Sequence, residues 1–154
     1  MTKADILERV KRRGERVTLP RLAVIEALCA LNSHQTAQSI QQHLAGQQID
    51  LEESTVYRVL QWLKDLGIVA QTDLGQSGIT YEVVSTPPHH HLVCLVCGQI
   101  QDVDDSVLEP LRRHLRADYA FEPRIDHMAF FGICCRCRSA GSVDREDAES
   151  LPPR

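Results

Sequence analysis

No apolar run in this 154-residue chain approaches the roughly 20 residues a bilayer-spanning helix needs, so insertion in a membrane is excluded as an expectation. The first 14 residues hold Lys3, Arg9, Lys11, Arg12 and Arg13 and no apolar stretch followed by a small-residue cleavage site, which points to a cytoplasmic protein. Positive charge is not in surplus either. The formal net charge of −4 argues against a chain that coats nucleic acid regardless of sequence. Also missing are an HExxH helix, a phosphate-cradling glycine loop, a GxSxG elbow and any internal repeat, and with them the usual signatures of hydrolases and nucleotide-binding enzymes.

The composition that remains, 43% hydrophobic and 25% charged, is that of a soluble protein of one domain or two small ones. Charge is unevenly placed: the first 25 residues carry seven basic side chains against three acidic ones, a local excess that suits contact with phosphates or a solvated helix face. Apolar residues at helical spacing predict four helices. The first covers residues 3–13. The second follows Thr18, with Pro20 in its first turn; the third runs from Thr36 to Gly46; the fourth is capped by Asp50, with Glu53 as its box partner, and ends at Gly67. Two strand-like runs, 68–74 and 79–84, flank the turn-rich tetrad 75–78. Helices followed by a hairpin spell a winged helix over residues 1–84.

Residues 85–88, with Pro87 and Pro88, continue neither a helix nor a central strand and are read as a hinge. Beyond it come strands near 91–96 and 99–103, a helix over 106–117 and a strand within 125–133. These form an α/β module spanning 89–138, and the acidic stretch 139–154 is expected to stay disordered. The fold class is therefore α+β.

Cys94-Leu95-Val96-Cys97 and Cys134-Cys135-Arg136-Cys137 supply two CxxC pairs separated by 36 residues. Four thiolates complete a tetrahedron for zinc and leave no open position for water or substrate, so the predicted ion is structural and staples the start of the module to its end. Cys135 with Cys137 makes a CxC, but Cys134 with Cys137 repeats the first pair's spacing and is preferred. Cys29, among apolar neighbours in the second helix, is read as a small buried hydrophobe. Three consecutive imidazoles, His89-His90-His91, follow the hinge; in an extended strand His89 and His91 face one way and His90 the other.

In order and spacing, Val17-Thr18-Leu19-Pro20-Arg21-Leu22, Ser54-Thr55-Val56-Tyr57-Arg58-Val59-Leu60, Gly67-Ile68-Val69, Tyr81-Glu82, the run from His89 to Gly98 and the late CxxC resemble the ferric uptake regulator family. That resemblance implies a homodimeric, metal-dependent repressor that binds a palindromic double-stranded DNA operator. It also implies a regulatory metal site of His34, Glu82, His89 and His91, with Asp102 as a further ligand, and an additional site of His90, Glu109 and His127. Two departures bear on the additional site: Pro88 stands where a histidine ligand is often found, and His90 where some members have aspartate.

Nitrogen and oxygen donors suit Fe(II), Mn(II) or Zn(II). With no cysteine between Cys29 and Cys94, Fe(II) is the expected corepressor, and zinc-, manganese- or peroxide-responsive regulation are the alternatives. On DNA, the fourth helix enters the major groove and presents Ser54, Thr55, Tyr57 and Arg58, while Arg21 adds a phosphate contact. A metal-dependent hydrolase using His89, His91 and Glu82 is the competing reading from another class.

Overall fold

Thr2 starts the first helix by a reciprocal cap. Its hydroxyl accepts from the Asp5 N–H at 3.3 Å, and the Asp5 carboxylate accepts from the Thr2 N–H at 2.7 Å. The protein is described by a computed structural model covering residues 1–31, 34–75, 78–84, 88–123, 125 and 127–140. Residues 76–77 of the expected turn, 85–87 of the expected hinge and 141–154 of the expected tail lie outside the described residues.

Four helices come first: α1 (Lys3–Arg12), α2 (Leu19–Leu31), α3 (Ala37–Gly46) and α4 (Glu53–Asp65). Thr36 caps α3 through the Ser39 N–H at 3.0 Å. The Asp50 cap expected for α4 is not made. The chain stays extended through Glu52, which offers no side-chain cap of its own, and the helix starts at Glu53. The end of α4 follows the sequence closely. Gly67 adopts φ 65°, a left-handed conformation that disfavours a side chain. That turn lets the Gly67 N–H reach the Lys64 carbonyl at 2.8 Å and the Ile68 N–H reach Leu63 at 2.9 Å.

Strands β1 (Val69–Asp73) and β2 (Ile79–Val83) pair as a two-stranded sheet. The inward stripes meet in one core: Ile6 and Val10 of α1, Val24, Ile25 and Leu28 of α2, Ile40 and Leu44 of α3, Val56, Leu60 and Leu63 of α4, and Val69 of β1. This is the winged helix, preceded by α1.

The second half carries β3 (His89–Cys94), β4 (Ile100–Asp104), a 3-10 turn over Asp105–Leu108, α5 (Glu109–Tyr119), β5 (Ala129–Gly132) and α6 (Cys135–Ser139). The sheet order is β4-β3-β5, with β3 antiparallel to β4 and parallel to β5. Strand β3 begins two residues before the apolar pattern suggests, because its histidines are part of the strand. The short α6 was not foreseen: five residues with alternating cysteine and arginine carry no helical periodicity. By its internal contacts the chain divides into two compact units, Met1–Thr72 with Gly78–Thr86, and Asp73–Ser77 with Pro87–Arg154.

Candidate metal centres and nucleic-acid interface

The first CxxC is a turn closing β3. Gly98, at φ 70°, lets the chain reverse so that its N–H bonds the Cys94 carbonyl at 2.9 Å. The second CxxC begins at Cys134, the N-cap residue of α6, and one turn later presents Cys137. The sulfurs of Cys94, Cys97, Cys134 and Cys137 all lie within 4.8 Å of one another, and none is in a disulfide. A tetrahedral zinc ion holding thiolates at about 2.3 Å separates its sulfurs by roughly 3.8 Å. The Cys97–Cys134 separation is 3.8 Å, so the four residues fit zinc.

Their acidities point the same way. Burial raises the Cys94 thiol, but the N–H groups of Cys134, Cys97 and Val96 more than offset it and hold it down to about 6. Cys97 is lowered by the Gln99 N–H and by Arg136, whose guanidinium lies 3.8 Å from its sulfur. Cys137 is pushed up to about 12, first by its hydrogen bond to Cys134 and then by burial. Thiols this close cannot all ionise without a cation among them. Cys135, the alternative member of the late pair, is exposed and outside the cluster.

In the first unit one backbone bridge builds a donor pair. Gln35 and Tyr81 exchange hydrogen bonds of 2.9 and 2.8 Å. Their antiparallel register puts the preceding residue, His34, opposite the following one, Glu82, with His34 Nε2 3.3 Å from Glu82 Oε1. Glu82 is buried, and His34 is half-buried beside it.

In the second unit β3 alternates as its sequence implies. His89 and His91 share a face, their rings edge to face at 4.9 Å between centroids. Parallel pairing of β3 with β5, with the His91 N–H on the Met128 carbonyl at 2.8 Å, brings in His127. Its ring is 4.6 Å from that of His89 and 5.0 Å from that of His91, and the three imidazoles offer ligand nitrogens within 4.8 Å of one another. Asp102, the cross-strand partner of His91, sits with Oδ1 2.9 Å from His91 Nδ1. There the carboxylate orients the ring, as second-layer carboxylates do for metal-binding imidazoles.

The three residues expected to form an additional site go separate ways. His127 joins His89 and His91. Glu109 lies on exposed α5, 3.7 Å from Arg116. His90 is fully buried on the opposite face of β3, with Nε2 2.9 Å from Asp105 Oδ1. Nothing in the sequence signals the parallel β3–β5 register, and without it His127 cannot be placed.

On α4, Val56, Val59, Leu60 and Leu63 are buried, whereas Ser54, Tyr57 and Arg58 are exposed. Arg58 donates to the Thr55 hydroxyl at 3.1 Å, and Tyr57 is 46% exposed. The outer face thus presents hydroxyl, phenol and guanidinium groups side by side, a set able to reach phosphates and base edges. Arg21 has other partners. Its guanidinium lies 3.8 Å from the Trp62 ring centroid and donates to the Arg16 carbonyl at 2.6 Å and to Glu15 at 3.3 Å, while Trp62 Nε1 donates to the same Glu15 carboxylate at 3.2 Å. No helix among the described residues is long and apolar enough to cross a membrane.

Comparison with known proteins adds a family. Residues 12–131 match the model of the ferric uptake regulator family. The ferric uptake regulation protein of Escherichia coli K12 is 30% identical over 132 residues, 84% of this chain and 89% of that protein. The peroxide-responsive repressor PerR of Staphylococcus epidermidis is 29% identical over 133 residues, 86% of this chain and 88% of the relative. Among solved structures, the Helicobacter pylori ferric uptake regulator, described as having three functional metal-binding sites, superposes with a TM-score of 0.71 at 25% identity, covering 90% of this chain and 95% of that one.

Proposed function

The chain belongs to the ferric uptake regulator family, and from that premise we propose that it is a homodimeric repressor with Fe(II) as corepressor, binding a two-fold operator through α4. The observation that carries this reading is the pair of half-sites, His34 with Glu82 in the first unit and His89, His91 and His127 in the second. They are built from nitrogen and oxygen donors alone. Such a set suits a borderline divalent ion such as Fe(II) better than a thiophilic one. Each half-site would offer its donors to such an ion. Asp102 holds the ring of His91 for that purpose, and Glu82 offers the carboxylate from the other unit.

The ion strengthens DNA binding only as far as it prefers the operator-competent arrangement of the units. A hundredfold tightening requires that preference to be about 2.7 kcal/mol. The proposed DNA contacts are Ser54, Thr55, Tyr57 and Arg58, with the zinc of Cys94, Cys97, Cys134 and Cys137 serving structure alone. The chain acts by binding rather than by turnover. Dimerisation through the second unit is supported by α5, which has no buried residue of its own and leaves Leu111 and Tyr119 exposed, and by Phe131 exposed on β5.

Gel-shift titration of the zinc-loaded protein with Fe(II), Mn(II) and Zn(II) under anaerobic conditions tests the reading. Iron is expected to produce the operator complex at the lowest free concentration. A complex formed only with zinc or manganese transfers the role to that ion, and an iron complex destroyed by hydrogen peroxide identifies a peroxide sensor. Equal binding with and without every ion refutes the proposal.

A further inference from the structure

Buried His90 points away from the imidazole cluster toward α5, and what it meets there is already a charge-balanced pair. Asp105 accepts from Arg112 through both oxygens, Nη1–Oδ2 at 2.8 Å and Nη2–Oδ1 at 2.6 Å, and Oδ1 is also the partner of His90 Nε2 at 2.9 Å. Arg112 reaches further, to the backbone carbonyls of Asp105 and Ile125, each at 3.4 Å. One guanidinium therefore ties the 3-10 turn, α5 and the segment before β5 to the back of β3.

We propose that Arg112 stands in for a third metal ion: its guanidinium occupies the carboxylate that His90 would share with a cation, so that the chain holds two ions rather than three. The donor chemistry supports this. A divalent ion needs roughly three or more protein donors to be held firmly, and at this place they are spent or absent. Both Asp105 oxygens face a fixed positive charge, which a second cation would have to approach against repulsion. Glu109 has turned to the surface beside Arg116, and His127 lies in the imidazole cluster on the other face of the strand.

Of the atoms once expected to form that site, His90 Nδ1 is left buried without a hydrogen-bond partner among the described residues, and a single nitrogen does not hold an ion. The groups of metal-capable side chains among the described residues contain neither His90, Asp105 nor Glu109. Bidentate pairing of arginine with a carboxylate is permanent, directional and independent of metal supply. The strut between sheet and helix, which an ion elsewhere could provide conditionally, is here always in place. This inference draws on the regulatory reading only for the total of two.

The test is metal content per chain, measured by elemental analysis of the full-length protein after dialysis against excess Mn(II), with the zinc of the thiolate site as the check that each variant is folded. Asp105→Asn is expected to bind as many manganese ions as the parent. Arg112→Gln, which frees both Asp105 oxygens to act with His90 Nε2 as three donor atoms, is expected to gain one. Loss of one ion in Asp105→Asn and in His90→Gln, or no gain in Arg112→Gln, overturns the proposal. The regulatory reading fails by a separate result, unchanged manganese content in His89→Ala, so the two can be told apart.

Discussion

Among the described residues of the first unit, 18 buried apolar side chains form one continuous cluster contributed by α1 to α4 and by both strands of the hairpin. Among the described residues of the second unit, by contrast, the buried side chains are Leu74, His90, His91, Val93, Cys94, Leu108 and Cys137, of which only Leu74, Val93 and Leu108 are hydrocarbons. The first unit can be held by the hydrophobic effect alone. The second has too little apolar surface to bury and relies on polar devices: a thiol cluster that fits zinc, a cluster of imidazoles and the Arg112–Asp105 pair. The buried cluster of the first unit is apolar, whereas the buried groups of the second include thiols that fit zinc.

Removing zinc should expose this contrast most strongly. Because folding and zinc binding are linked by free energies on the order of 10 kcal/mol, Cys94→Ser or prolonged chelation is expected to melt the second unit and dissociate the dimer while the helical transition of the first survives. Calorimetry with a resolved second transition checks it; a single unchanged transition counts against the contrast. The reverse experiment is Leu60→Ala, which removes a fully buried side chain from α4. A loss of about 2–5 kcal/mol is expected in the first unit's transition, with the zinc content untouched.

A smaller effect follows from the thiol acidities. At pH 7 Cys94, held down to about 6, is ionised, and Cys137, pushed up to about 12, carries its proton. Zinc uptake at neutral pH must therefore release the proton of Cys137. As pH falls through about 6 Cys94 becomes protonated too, and zinc affinity declines more steeply below that point than above it. Isothermal titration in buffers of different ionisation enthalpy measures the released protons, and a constant slope from pH 5 to 8 contradicts the assignment.

The smallest expected effect concerns Arg21. Replacement by alanine should destabilise the first unit by about 0.5–2 kcal/mol, the range of a partly desolvated cation–π contact, and shift the emission of Trp62, the chain's single tryptophan. Because the guanidinium is taken up by Trp62, Glu15 and the Arg16 carbonyl, the salt dependence of operator binding should stay unchanged. A slope lower by about 1 would assign Arg21 to a phosphate instead.

How far the sequence can be read follows the same divide. Helices α1 to α4 are legible because their apolar stripes, Thr36 and Gly67 are local signals; the Asp50 cap fails because an extended stretch through Glu52 delays α4. The four thiols are legible from spacing, since each CxxC is a local turn. The partners of the histidine run are not. His127 reaches His89 and His91 through parallel pairing of β3 with β5, and Asp105 is drawn to Arg112 across a change from 3-10 turn to α-helix. Both depend on tertiary register, to which periodicity is blind. The partner of Arg21 is hidden for the same reason: its aromatic ring lies 41 positions away, on α4.

If the proposed sensor is real, operator affinity depends on donors of the first unit, His34 and Glu82, and of the second, His89, His91 and His127, alike. The direct measurement is anaerobic fluorescence anisotropy of labelled operator DNA with the parent protein, Glu82→Ala and His89→Ala, each zinc-loaded and each with and without saturating Fe(II). Iron is expected to tighten binding by the parent at least about tenfold, within the usual range of allosteric coupling, and to leave both variants at the parent's metal-free affinity. Equal affinity of the parent in the two conditions, or full iron response in a variant lacking either half-site, would contradict it.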